Sequence, residues 1–150
     1  MENLHPLFVH FPVALLLAAF FVETLALFFK QSSWHRVSLW MLGFGALGAV
    51  GAVLTGRMAK ETAKHSYEIE EIMELHEKLG YAVLGIALFV VVCRLFLRDR
   101  LGKRTRWIAW SLLAAACGIM AYSAHLGGRM VYEFGVGGSY GRRSGIEVVK

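Results

Sequence analysis

Four long apolar runs, at 7–29, 36–56, 76–97 and 107–125, alternate with short polar stretches along the chain. Each is close to the roughly 20 residues that a helix needs to cross a hydrocarbon core about 30 Å thick. In lipid the backbone must satisfy its own hydrogen bonds, so runs of this length span as helices. The pattern predicts an all-α integral membrane protein, a four-transmembrane-helix up-down bundle over residues 1–138 with a polar C-terminal tail at 139–150. Between the second and third runs lies a stretch of mixed lysines and glutamates. Its second half, 66–77, has helical character and reads as a short helix on the outer face. The glycine-rich segment from Gly127 reads as a loop near the membrane.

Prolines and glycines refine the spans. Pro6 suits a first helical position, where its missing N–H would be unpaired anyway. Pro12 removes the hydrogen bond to the Phe8 carbonyl and predicts a kink. The second run holds Gly43, Gly45, Gly48, Gly51 and Gly56. Its GFGALG segment matches GxGxxG but lacks the preceding strand and exposed helix start that a dinucleotide site needs. Small residues at four-residue spacing, Gly45/Ala49 and Gly48/Ala52, instead admit a close helix or a flat ligand. No tandem repeat is visible.

The chain of 150 residues is 57% hydrophobic, above the 45–50% or so of a soluble domain. Its net charge of +5 lies between the apolar runs, which makes it a topology signal rather than a nucleic-acid patch. Arg98, Arg100, Lys103, Arg104 and Arg106 share one side with Lys30 and Arg36. By the positive-inside rule that side is cytoplasmic and both termini face out, against a weaker opposing set of Arg57, Lys60 and Lys64. The first run has no basic segment before it and is longer than a signal-peptide core, so it reads as a retained span. Cys93 and Cys117 stand far apart in apolar sequence, which argues against a disulfide or zinc site.

The histidines carry the candidate chemistry. His5 and His10 lie at the outer end of the first span, His76 opens the third, and His125 closes the fourth. His65 falls in the outer loop, and His35 alone falls on the inner side. Three spans thus bring imidazoles to one depth, where polar groups are costly unless paired or functional. Neutral imidazole is a common metal and haem ligand. Gly80 beside His76, Ala14 beside His10, and Ala121 beside His125 leave room for a macrocycle. His5 and His10 are about 140° apart around a regular helix, and His10 is read as the inward one, with His5 an interfacial partner. First and third helices are diagonal in an up-down bundle, which favours His10 with His76 as ligands and His125 as a partner or alternative. A mononuclear metal site on the same histidines would want further ligands, for which Glu74, Glu77 and Met130 are available.

The opening His5-Pro6-Leu7-Phe8-Val9-His10-Phe11-Pro12 resembles the HPxxVHFP start of a bacterial membrane family, domain of unknown function 2231. The ending Gly127-Gly128-Arg129-Met130-Val131-Tyr132-Glu133-Phe134-Gly135-Val136-Gly137 is similar to that family's GGxxVYxxGxG. The resemblance covers most of the chain and implies four membrane helices. It also implies that His5, His10, His76 and the final glycine-rich stretch are family features, and it implies no mechanism.

Two functions fit this reading. One is a small haem b protein carrying electrons at the outer face, with His10, His76, His125 and His5 as the cofactor residues. Its partners would be the lipid bilayer and other redox subunits or quinone, and no nucleic acid. The other is a non-redox accessory or transporter subunit whose histidines bind a metal ion or are structural. Nothing in the chain looks like a substrate-transforming centre. Deeper in the membrane, Glu23 and Arg94 fall at depths that agree within roughly 3 Å by helical rise, and an ion pair is expected there.

Overall fold

The computed structural model describes residues 5–30, 32–62, 67–97 and 102–136. They form four helices: α1 (His5–Phe28), α2 (Ser32–Thr62), α3 (Tyr67–Leu97) and α4 (Lys103–Tyr132). All four are long and apolar enough to cross a membrane. Consecutive helices pack side by side and α4 closes on α1, which leaves α1–α3 and α2–α4 as the diagonals of an up-down bundle. Leu16, Ala19, Leu42, Ala46, Val83, Ala87, Val90, Leu113 and Met120 fill the centre. Phe11, Phe21, Trp40, Phe44, Leu47 and Phe89 face outward, as expected where lipid is the solvent.

The helices overrun the sequence-predicted spans. The segment 67–77 is not a separate surface helix but the first turns of α3. The physical reason is length. A helix of 31 residues is about 46 Å long, against a hydrocarbon core of about 30 Å. Its acidic start therefore projects past the core without a break. The lysine-bearing end of α2 projects beside it, and Lys60 pairs with Glu77 at 2.8 Å. Likewise α4 runs through Gly127 and Gly128 to Tyr132 rather than ending at His125. Gly135, with φ 68°, then turns the chain: Val136 N–H donates to Met130 O and Gly135 N–H to Val131 O. The Gly135 bond is that of an αL stop, and it requires the left-handed conformation that glycine supplies. The expectations for His65, for residues 98–101 and for the tail from 137 lie outside the described residues.

α1 continues through Pro12, and the α2 glycines explain its course. A Cβ on Gly45 would meet Leu16 at 2.9 Å, one on Gly48 would meet the Pro12 ring at 3.1 Å, and one on Gly51 would meet Phe8 at 2.9 Å. The glycine face is filled by α1 itself, so it is a helix-packing surface.

A repeat that sequence identity hides is plain in the structure. Seventy-one residues separate the starts of α2 and α4. The same interval maps the buried Pro12, Leu16, Ala19 and Glu23 of α1 onto the buried Val83, Ala87, Val90 and Arg94 of α3. It also maps Leu42, Ala46, Ala49 and Ala52 onto the buried Leu113, Cys117, Met120 and Ser123. The buried positions of α3–α4 thus recur at the spacing of those of α1–α2.

Candidate functional site

At the end of the bundle where α1 begins and α2 ends, His5 is drawn inward. Its Nδ1 lies 3.0 Å from Ala52 O and 3.3 Å from Thr55 Oγ1. The Thr55 hydroxyl donates to the Gly51 and Ala52 carbonyls, which fixes it in place. A Cβ on Gly56 would stand 3.1 Å from His5 Cε1, so glycine there gives the ring its seat. Across the bundle, His76 Nδ1 lies 2.9 Å from Ser123 O and 3.0 Å from Ser123 Oγ. A Cβ on Gly127 would come within 3.4 Å of His76 Cε1. The two ring centres are 6.1 Å apart, with planes at 88°.

A carbonyl oxygen only accepts hydrogen bonds, so each Nδ1 carries the proton and donates it. Each Nε2 is then the nitrogen with a lone pair. Histidines that bind a metal usually hold their other ring nitrogen in this way, on a carbonyl or a carboxylate. Two metal–nitrogen bonds of about 2 Å, with each nitrogen roughly 1 Å from its ring centre, call for centres about 6 Å apart, which is the spacing of this pair. Next to His76, Gly80 and Gly128 have little or nothing within contact distance of where a Cβ would stand.

The site differs from the sequence reading in which histidines meet. His10 is exposed and its Nδ1 bonds the Pro6 carbonyl of its own helix. His125 is also exposed. The inward residues of α1 are Pro12, Leu16, Ala19 and Glu23. His5 lies on that stripe at helical spacing and His10 does not, which reverses the roles given to the two. On α4, Ser123 takes the inward place and His125 points away. His5 and His76 are therefore brought together, and His10 and His125 are not. Among the described residues no three His, Cys, Asp or Glu side chains converge as a metal-ligand group. Glu77, a candidate extra ligand, is engaged by Lys60.

A second polar cluster lies near the other end of the bundle. Arg94 Nη1 is 2.9 Å from Glu23 Oε2, and both side chains are almost wholly buried, at 6% and 2% exposed. Arg94 also donates to His35 O at 2.7 Å and to Ser38 Oγ at 3.3 Å. His35 Nδ1 meets Glu23 Oε1 at 2.7 Å. Ser38 in turn donates to Ala19 O, and Trp110 Nε1 donates to Thr24 Oγ1. Carboxylate, guanidinium, imidazole and hydroxyl thus tie α1, α2 and α3 together, and the Trp110 indole joins α4 to α1 beside them. Sequence reasoning gave His35 and Ser38 no part in this, because neither carries a signal without knowledge of which face of α2 turns inward. Thr55 and Ser123 were missed for the same reason.

Residues 1–139 match the family described as predicted membrane protein (DUF2231), and the chain belongs to that family. No curated protein and no solved structure matches the chain.

Proposed function

We propose that this protein is a small haem b carrier of electrons in a bacterial inner membrane, with His5 and His76 as the two iron ligands. The observation that carries the reading is the pair of imidazoles 6.1 Å apart, each with its Nδ1–H held by a backbone carbonyl of the neighbouring helix. Two protein ligands suit a haem iron, which takes its other four from the macrocycle. A lone metal ion would want four or more from protein and water. When bound, haem supplies one-electron transfer. The chain's own part is orientation: Gly56 and Gly127 set how closely the rings approach, and Thr55 and Ser123 fix the carbonyl side of each ring. His10 and His125 stand outside this pair, on the surface. Redox subunits or a quinone are the partners that such a carrier needs.

The test is the absorption spectrum of the full chain purified from cells supplied with haem. A Soret band at about one haem per chain is expected. Its absence, with haem in excess, sinks the reading, and metal analysis of the same sample then examines the metal-ion alternative.

The orientation rests on the basic residues around the start of α4, among them Lys103, Arg104 and Arg106. They belong in the cytoplasm, which puts the histidine pair at the outer face. A reporter that fluoresces only in the cytoplasm, fused after Lys150, is expected to stay dark. Bright fluorescence would move the histidine pair to the inner face.

A further inference from the structure

Two pairs of equivalent positions touch each other. His5 and His76, seventy-one residues apart, face each other at 6.1 Å. Glu23 and Arg94, separated by the same interval, meet at 2.9 Å. When two copies of a unit are related by a two-fold axis, it is residues near the axis that meet their own equivalents. Along the helices the two contacts are about 27 Å apart, so they mark two points on one axis running the length of the bundle.

Each half of the histidine site is assembled alike. The ring N–H is held by a carbonyl 47 residues further along, Ala52 for His5 and Ser123 for His76. The ring edge rests on the glycine four residues beyond that carbonyl, Gly56 or Gly127. We infer that α3–α4 is a second copy of the α1–α2 hairpin and that the histidine site stands on the axis between the copies. Its ligand is then one that takes two equivalent imidazoles from opposite sides.

This step rests on the haem reading. For a haem it means that His5 and His76 would both hold the iron, which would leave no place on it for a small substrate. The site passes electrons and does not bind a gas. The copies have diverged where the axis does not constrain them. α2 carries Gly45, Gly48 and Gly51 at the positions where α4 carries Ala116, Ile119 and Tyr122, so α1 comes closer to α2 than α3 does to α4.

The test has one arm without haem and one with it. In the haem-free full chain labelled with ¹⁵N-histidine, two slowly exchanging Nδ1–H imidazoles are expected besides that of His35, which Glu23 holds. His5→Ala removes one and His76→Ala the other. A single such signal, or Nε2–H in either ring, overturns the equivalence. In the haem-loaded, reduced protein, carbon monoxide is expected to leave the wild-type spectrum unchanged. Gly56→Val and Gly127→Val, which each crowd one ring, are expected to admit it to similar extents. Carbon monoxide binding by the wild type, or by one variant alone, also overturns the inference. A missing Soret band fells the haem reading instead, and the imidazole signals still decide the equivalence.

Discussion

Arg94→Gln is expected to destabilise the bundle by about 3–5 kcal/mol, the range for breaking a buried ion pair by removing one partner. Glu23 is 2% exposed and lies deep in a span, where a carboxylate has no water to turn to. Without the guanidinium, Oε1 keeps only His35, and Oε2, which already lacks a well-aligned hydrogen bond, keeps nothing among the described residues. The His35 carbonyl and the Ser38 hydroxyl also lose the donor that joins α3 to α2. Glu23→Gln removes the opposite charge and strands the guanidinium in the same way. The double variant leaves two neutral amides of similar shape, so it should recover a large part of the loss. Unfolding in detergent, run as a double-mutant cycle, measures this. Single effects that add within about 0.5 kcal/mol would mean that the two residues do not act as a pair.

How much of this was legible in the sequence depends on the kind of signal. The four helices follow from hydropathy, because in lipid the length of an apolar run leaves few choices. Their ends do not, since a helix keeps its own hydrogen bonds after it leaves the hydrocarbon. Polar residues at 57–62 and 67–75 therefore lie in continuous helix. The short outer helix was an expectation drawn from composition where continuity of the backbone decides.

The histidine level was readable, but the choice among histidines turned on helical phase. Eighteen residues separate His5 from Glu23 and also His76 from Arg94. That is about five full turns, so each pair lies on one face of its helix. A buried acid and a buried base thus point to the inward histidines, and they select His5 over His10. The repeat stayed hidden because equivalent positions seldom carry the same residue. Lipid-facing and core positions alike accept any apolar side chain of suitable size. The one obvious short identity, Gly56-Arg57-Met58 with Gly128-Arg129-Met130, stands one residue out of the structural register. What α2 and α4 contribute through Thr55, Ser123, His35 and Ser38 had no marker in the sequence. Each is an ordinary polar residue until the facing helix is known.

The central claim is that His5 and His76 share one ligand while the other histidines stand apart. If the pair holds a haem iron, removing either imidazole would take away one of its two protein ligands, and the carbonyl that held the ring would not replace it. His10 and His125 are exposed, and His10 is satisfied by its own helix. His35 is engaged with Glu23 at the far end of the bundle. The measurement is the haem content and Soret spectrum of five single alanine variants, at His5, His10, His35, His76 and His125, purified alike from haem-supplied cells. The account predicts that His5→Ala and His76→Ala each lose the haem or change its ligation, and that the other three keep the wild-type spectrum. A His10→Ala variant that loses haem while His5→Ala retains it unchanged would contradict the account.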